Sequence, residues 1–183
     1  MKNSLIILFS GVIALFGCKS EGICEDSDFL MTNFFEKLLD DGFTDEVTVD
    51  ANHSYTFVLS QDKILCGIGY ESQKNVVDYR IELKNQNDSI LFNEIMRFNH
   101  KRIEYKSVGN ILLNSQDTFT LTREVNSGAK SSIDHIGRVA IREGSESIIF
   151  PITKGQLTII DVNFDSIPTA KFAIPLIDLE VKH

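Results

Sequence analysis

The sequence predicts a mainly β protein: an antiparallel β-sandwich of the jelly-roll or immunoglobulin-like type that begins with one short amphipathic helix. Three observations predict this fold class. Short runs of alternating polar and apolar residues recur from residue 45 to the end of the chain. Turn residues separate these runs at intervals of roughly ten residues, a spacing typical of sandwiches and barrels. Only residues 29–41 clearly follow the helical period instead.

The helical stretch carries six large apolar residues in three pairs. The pairs are four residues apart along the chain: Leu30-Met31, Phe34-Phe35 and Leu38-Leu39. This spacing places all six side chains on one helix face. Ser27 or Asp28 is expected to cap the start of the helix, and Gly42 is expected to follow its end. We expect the apolar face to pack against its own domain; a membrane-active or partner-binding face is the alternative.

The strands are predicted from the alternation of residues along the rest of the chain. They cover residues 45–51, 55–59, 64–70, 77–83, 90–95, 103–108, 111–113, 118–123, 137–142, 147–152, 157–164 and 174–182. The strand at 64–70 is apolar on both faces, which predicts a central position in its sheet. The strand at 77–83 alternates most regularly, which predicts one buried and one exposed face. Pro175 predicts an edge or strand-entry position, and Gly67 and Gly69 predict close backbone packing.

Residues 1–17 have the features of a secretory signal. Lys2 precedes an almost wholly apolar run from Leu5 to Phe16. The run falls within the usual length of the apolar part of a signal peptide. It is too short to cross a bilayer, since a transmembrane helix needs about 20 apolar residues.

The end of this run resembles the lipobox of bacterial lipoproteins, with Leu15 at −3, Gly17 at −1 and Cys18 at +1; Phe16 at −2 is bulkier than the usual small residue. The resemblance implies that a diacylglycerol is attached to the Cys18 sulfur and that cleavage follows Gly17. An ordinary secretory signal is the alternative. The expected organisation is then a signal peptide at 1–17, a lipidated cysteine and acidic tether at 18–28, and a single sandwich domain at 29–183. The expected location is the cell envelope, on the periplasmic or outer surface of a membrane, with the outer membrane favoured.

The chain contains three cysteines. If Cys18 carries lipid, Cys24 and Cys66 remain as an even pair in an oxidising compartment, which predicts a disulfide between them. A mobile free Cys24 with a buried free Cys66 is the alternative. The sequence contains no CxxC motif or Cys/His cluster of the kind that binds zinc, so neither a metal nor a cofactor is predicted.

The charge of the chain excludes one class of partner. The formal net charge is −8, from 18 basic and 26 acidic residues. Nucleic acid is therefore not expected as a partner, because its phosphates need neutralising by Lys and Arg. Anionic lipid headgroups should also repel the domain, so membrane contact is expected only through the lipid anchor.

A few residues have the types and spacing of functional sites. Ser131, Ser132, Asp134 and His135 have the residue types of a hydrolase triad, but the sequence has no GxSxG and we interpret them as a polar loop. Asp161, Asn163 and Asp165 have the spacing of a calcium loop without its Gly and Glu positions, and they also fit the polar face of a strand. No catalytic residue is predicted.

Two triplets resemble an O-glycosylation sequon that some diderm bacteria use on exported proteins. They are Asp88-Ser89-Ile90 and Asp165-Ser166-Ile167, both at predicted turns. The resemblance implies that Ser89 and Ser166 are glycosylation sites.

Several short phrases, in order over about residues 45–182, resemble an exported bacterial β-domain. They are Tyr55-Thr56-Phe57 with Leu59-Ser60, Cys66-Gly67-Ile68-Gly69-Tyr70, Tyr79-Arg80-Ile81-Glu82-Leu83, Thr118-Phe119-Thr120-Leu121-Thr122-Arg123, Ile136-Gly137-Arg138 and Ile174-Pro175-Leu176-Ile177-Asp178. This family of jelly-roll-type sandwiches occurs in lipoproteins and extracellular proteins and has no catalytic motif to carry over.

Three functional hypotheses follow. The first is a non-enzymatic envelope lipoprotein that binds an envelope protein or a glycan. A protein partner is favoured because the chain has no Trp on which a sugar could stack. The second is a structural subunit of a surface appendage or layer, with the last strand serving strand exchange. The third and least favoured is a hydrolase.

Overall fold

The structure, a computed structural model, describes residues 23–49, 51–72, 77–126, 136–142, 147–164 and 173–183. Within these residues there is one helix, α1 (Leu30–Asp40). The strands are β1 (Asp28–Phe29), β2 (Phe43–Val49), β3 (Asn52–Leu59), β4 (Lys63–Tyr70), β5 (Asp78–Asn85), β6 (Ile90–Arg97), β7 (Glu104–Leu113), β8 (Phe119–Val125), β9 (Ile136–Arg142), β10 (Ile152–Lys154), β11 (Leu157–Phe164), β12 (Ala173–Pro175) and β13 (Asp178–Lys182).

The strands form three antiparallel sheets. The largest has six strands in the order β10-β11-β3-β8-β5-β6. A four-stranded sheet has the order β1-β13-β4-β7, and a three-stranded sheet has the order β12-β9-β2. Leu176 and Ile177 join β12 to β13, so one chain segment passes from the three-stranded to the four-stranded sheet. The predicted class, mainly β with antiparallel sheets and one short helix, is confirmed.

The main core lies where the six-stranded sheet meets the other two. Buried side chains alternate along its strands, as in Tyr79 and Ile81 of β5. The Tyr55 hydroxyl on β3 donates a 2.7 Å hydrogen bond to the Ile177 carbonyl, which connects the six-stranded sheet to the start of β13. The Arg123 guanidinium on β8 lies 5.5 Å from the Tyr70 ring on β4, a second contact between sheets. These contacts fit the face-to-face packing of a sandwich.

Helix α1 follows the predicted pattern on its apolar face. Five of the six apolar side chains are buried and Leu39 is half-buried, so the face packs against its own domain. Gly42 follows the helix with φ +87°, the left-handed conformation that glycine adopts readily. The predicted cap was wrong: the N-cap residue is Phe29, and no neighbouring side chain caps the helix. No helix in the described residues is long and apolar enough to cross a membrane.

The strand predictions hold best where both edges of a strand are paired. β4 lies between β13 and β7, which confirms its central position, and β5 has the predicted buried and exposed faces. Pro175 lies in β12, an edge strand, as predicted. The two strands predicted at 103–108 and 111–113 are one strand, β7, which contains Gly109 at φ +82°.

Two strand predictions were wrong in extent. Only Ile152 of the segment 147–152 belongs to a strand, because Pro151 has no N–H to donate and pairing starts after it. The predicted strand 174–182 is divided at Leu176 and Ile177 between β12 and β13, which belong to different sheets.

Candidate functional site

The candidate site is the junction where the N-terminal segment meets β4 and β13. Cys66 of β4 defines it, because both neighbouring strands change register there. β13 aligns Glu180 with Gly67 but Val181 with Leu65, so Cys66 has no Cα partner on β13. β7 changes register at the same place, between Leu65 and Gly67. Bulges of this kind re-aim a side chain out of the regular alternation.

The structure joins Cys66 to Cys24 by a disulfide, with Cα atoms 6.3 Å apart. This is the pairing that the cysteine count predicted. The Cys66 sulfur lies 3.4 Å from the Glu180 carbonyl oxygen. The disulfide therefore holds the N-terminal segment beside β13, and the last residues of the predicted tether are attached to the domain.

Glu180 holds the same segment through its side chain. Its Oε1 accepts the Cys24 backbone N–H at 2.8 Å and the Ser27 hydroxyl at 2.9 Å. Its Oε2 is buried and, among the described residues, has no hydrogen-bond partner. Gly67 leaves the space for this carboxylate, because a Cβ there would lie 2.5 Å from Oε2. Close packing at Gly67 was predicted from the sequence, and the group that packs against its backbone is the Glu180 side chain.

Asp178 caps helix α1 from a distant strand. Its Oδ1 accepts the backbone N–H groups of Met31 at 2.8 Å and Thr32 at 3.2 Å, and its Oδ2 accepts the hydroxyls of Thr32 and Tyr105. A carboxylate at this position also meets the positive end of the helix dipole. Burial raises the pKa of the Asp178 carboxyl, and its hydrogen bonds to Thr32 and Tyr105 oppose the rise.

Lys63 fixes the start of the domain on the other side of the junction. Its side chain is buried, and its Nζ lies 3.5 Å from Asp28 Oδ2 and 2.9 Å from His183 Nδ1. Asp28 belongs to β1, which pairs with β13. The N-terminal segment is therefore held by a disulfide, by two buried carboxylates and by one buried ammonium group.

A cleft of about 520 Å³ opens beside the disulfide. Cys24 and Cys66 line it together with Ser107 and Asn110 of β7 and Lys182 of β13. Cys24 is half-buried, whereas Cys66 is only 5% exposed. A small molecule in this cleft would therefore meet the disulfide from the Cys24 side.

A second surface feature is an apolar groove of about 380 Å³ at the C-terminal end of α1. Its apolar lining comes from Leu38, Phe43, Ile148, Ile149 and Ile152. The side chain of Ile149 is 81% exposed, an unusual degree for an isoleucine.

Cationic side chains lie at the edge of this apolar groove. They are those of Arg142 and Lys154, and Lys154 forms an ion pair with Asp41. The groove therefore combines an aliphatic floor with a charged edge at which Asp41 pairs with Lys154.

The remaining predicted site residues are dispersed. Ser89 is exposed in the turn between β5 and β6, where its N–H donates to Asn85 Oδ1. Asp161 and Asn163 lie on β11, next to buried Val162, as the strand interpretation predicts. Several predicted residues lie outside the described part of the chain: Cys18, Ser131, Ser132, Asp134, His135, Asp165 and Ser166.

Among the described residues, no group of three His, Cys, Asp or Glu side chains is placed to hold a metal ion. His53 is buried against Phe164, with ring centroids 4.9 Å apart, while His183 is exposed beside Lys63.

Sequence reasoning missed Asp178 and Glu180. The alternation in 174–182 placed them on a polar strand face, but both are fully buried. The face of β13 that carries Asp178 and Glu180 is polar because these side chains hold the N-terminal segment. The sequence does not show this contact. One local signal points to Glu180: Gly67, its partner across the sheet, has no side chain to fill the space.

Comparison with protein-family models finds no match to this chain, and no curated protein matches it.

Proposed function

We propose that this chain is a lipid-anchored protein of the bacterial cell envelope whose β-sandwich is a non-catalytic module that binds another envelope protein. The observation that carries the proposal is the sequence Leu15-Phe16-Gly17-Cys18 directly after a short apolar run. Acylation of Cys18 would supply the anchor, since each buried CH₂ of an acyl chain contributes about 0.8 kcal/mol and two or more chains hold a protein stably on a bilayer.

The attachment of the N-terminal segment supports an anchoring role. The chain is fixed to the domain at Cys24, both by the disulfide and by Glu180. The free length between Cys18 and Cys24 would then span at most about 20 Å when fully extended. The corner of the domain formed by β4, β13 and the tether would face the membrane, and partners would bind elsewhere.

The groove at the end of α1 is the surface we propose for binding. Helix α1 starts at the junction and ends at the groove, and its 11 residues span about 16 Å at 1.5 Å per residue. Its aliphatic lining suits apolar side chains of a protein. We therefore propose a partner segment that places apolar side chains in the groove.

The alternative of a structural subunit has less support. Strand exchange at the C-terminal strand needs an open strand edge. β13 is paired on one edge with β4 and on the other with β1. Exchange would require displacement of β1 and of the contacts that hold it.

The anchor is tested by intact mass spectrometry of the protein isolated from membranes. We expect cleavage after Gly17 and a diacylglycerol on Cys18, and a Cys18→Ser variant is expected to leave the membrane fraction. An unmodified Cys18 in a soluble wild-type protein would overturn the anchoring proposal.

The binding site is tested by crosslinking capture from envelope extracts with three forms of the protein: wild type, Ile149→Glu and Ile95→Glu. Ile95 is a matched control because it is 53% exposed on β6, at the edge of the six-stranded sheet opposite to β10, which lines the groove. We expect one partner to be captured by the wild type and the control and lost with Ile149→Glu. Equal capture by all three forms would refute the proposal that the groove binds the partner. Binding to a glycan array, with no protein captured, would favour a glycan as the ligand.

A further inference from the structure

The Cys24–Cys66 disulfide is asymmetric in its accessibility. Cys24 is half-buried and lines the open 520 Å³ cleft, whereas Cys66 is almost completely shielded by the sheet. Thiol–disulfide exchange requires in-line access of a thiolate to one sulfur, and the other sulfur leaves. Cys24 is the more accessible residue of the pair, so attack at Cys24 would make Cys66 the leaving group.

Glu180 has an acceptor atom that the oxidised protein does not use. Its Oε1 receives two hydrogen bonds from residues 24 and 27, but its buried Oε2 receives none within the described residues. A buried acceptor without a donor is unfavourable. The backbone of Glu180 is in contact with the Cys66 sulfur, and its side chain is in contact with the Cys24 amide.

We propose that Cys24–Cys66 is a thiol–disulfide exchange site that small thiols attack at Cys24, and that Glu180 accepts a hydrogen bond from a thiol of the reduced form. Reduction of the disulfide would then supply a thiol that donates a hydrogen bond to Glu180 Oε2. The disulfide would then be a reducible attachment of the N-terminal segment and not a purely structural crosslink.

The exchange consumes two equivalents of a monothiol. The thiolate of the first attacks Cys24 Sγ, the Sγ–Sγ bond breaks, and Cys66 leaves with the bonding electron pair and takes up a proton. The thiolate of the second attacks the small-molecule sulfur of the mixed disulfide. Cys24 is released as a thiol after protonation, and the two small thiols leave as their oxidised disulfide.

The consequence for the anchored protein depends on the proposed function. With the disulfide intact, the first residue fixed to the domain after Cys18 is Cys24, among the residues that the structure describes. After reduction, residues 24–28 are retained by the hydrogen bonds to Glu180, by the two-residue pairing of β1 and by the contact of Asp28 with Lys63. If the hydrogen bonds to Glu180 open while β1 stays paired, the first fixed residue becomes Asp28, and the maximum span from Cys18 increases from about 20 Å to about 35 Å.

The test uses the full-length protein, purified from membranes in detergent and equilibrated under native conditions with mixtures of reduced and oxidised glutathione. Free thiols are alkylated, and peptides are identified by mass spectrometry. We expect a glutathione mixed disulfide on Cys24 and not on Cys66, and reversible reduction while the fold is retained by circular dichroism. A protein that stays oxidised until urea unfolds it would overturn the proposal, as would a mixed disulfide on Cys66.

Glu180→Gln tests the role of the carboxylate, with Glu94→Gln as the matched control. The glutamine carbonyl oxygen can replace Oε1, but its NH₂ group cannot accept a thiol hydrogen bond. We expect the exchange equilibrium to shift about fivefold toward the disulfide, the effect of one lost hydrogen bond. Glu94 is an exposed glutamate on β6, away from the cleft, so its variant should leave the equilibrium unchanged. Equal equilibria in all three proteins would remove Glu180 from the proposal.

Identification of the cysteine that forms the mixed disulfide uses the wild-type protein, so it does not depend on whether Glu180→Gln folds. The same mass spectra report acylation of Cys18 separately. Thiol exchange at Cys24 without acylation of Cys18 would refute only the lipid-anchor proposal. Acylation of Cys18 without thiol exchange would refute only the exchange-site proposal.

Discussion

Asp178 and Thr32 lie 146 residues apart in the sequence, yet one carboxylate binds both the backbone N–H and the hydroxyl of Thr32, at 3.2 Å and 2.5 Å. Helix α1 has no cap from its own neighbourhood, so β13 supplies the cap. The start of the helix and the last strand therefore depend on each other. The N-terminal segment can hold its position only when β13 is in its sheet.

Replacement of Asp178 by alanine is the first prediction. The variant leaves buried donors from Met31, Thr32 and Tyr105 without an acceptor. We expect the free energy of unfolding to fall by at least about 3 kcal/mol, measured by urea denaturation. Asp178→Asn keeps one acceptor oxygen and should lose less. Asp40→Asn, an exposed carboxylate in the last turn of α1, is the control and should stay within about 0.5 kcal/mol. Equal losses for Asp178→Ala and Asp40→Asn would contradict the capping role.

The sequence was sufficient for elements whose pattern depends on local spacing. The pairs Leu30-Met31, Phe34-Phe35 and Leu38-Leu39 predicted α1 because residues three and four apart share a helix face. The alternation along β5 predicted its two faces for the same kind of reason. The cysteine count, with Cys18 assigned to lipid, favoured the pairing of Cys24 with Cys66 that the structure contains, but two free cysteines remained the alternative.

The features that were not predicted from the sequence depend on contacts with residues far away in the chain. Asp178 and Glu180 alternate with apolar residues like any exposed strand face, and only the packed N-terminal segment makes that face buried. The bulge at Cys66 depends on how β13 and β7 both align with β4. No local pattern in the sequence specifies the burial of these carboxylates or the position of the bulge. Of the candidate site, the sequence therefore predicted only the two cysteines.

Gly67 provides the second prediction. A Cβ at this position would lie 2.5 Å from Glu180 Oε2 and 3.2 Å from Glu180 Cβ, so Gly67→Ala must displace β13 or the carboxylate. We expect a loss of about 2 kcal/mol or more in chemical denaturation, together with faster proteolysis before residue 28. Gly109→Ala is the comparison, because that residue has φ +82° but open space around it. It should lose only about 1 kcal/mol. A smaller loss for Gly67→Ala than for Gly109→Ala would refute the close-packing argument.

The third prediction concerns apolar residues in an edge strand. Val47 follows the alternation that predicts burial, but it is 56% exposed because β2 is the outer strand of its sheet. Val47→Thr should change the free energy of unfolding by less than about 0.5 kcal/mol. Val139 on the neighbouring β9 is fully buried, so Val139→Thr should lose about 1–3 kcal/mol through its buried hydroxyl. The measurement is a pair of urea titrations, and similar losses at the two positions would show that the outer edge of β2 is covered in solution.

The fourth prediction concerns the pH dependence of stability. His53 on β3 lies directly opposite Arg123 on β8, and both side chains are buried. Neither ring nitrogen of His53 has a hydrogen-bond partner within the described residues. Burial, together with the nearby Arg123 charge, holds the pKa of His53 well below its usual value. The folded protein therefore keeps the imidazole neutral where the unfolded chain binds a proton.

The sign of the effect follows from proton binding. Below about pH 6.5, the ordinary pKa of histidine, the unfolded chain takes up a proton that the folded protein does not. The free energy of unfolding should thus fall as the pH drops from 7 to 5, by up to about 1.4 kcal/mol for each pH unit from this residue. His53→Leu removes the titrating group and the two unpaired nitrogens, so its stability should depend less on pH in this interval. Burial raises the pKa of Asp178, which acts in the opposite direction, but that group is present in both proteins and cancels in the comparison. Urea midpoints measured at several pH values decide the question, and parallel curves for wild type and variant would show that His53 does not titrate on unfolding.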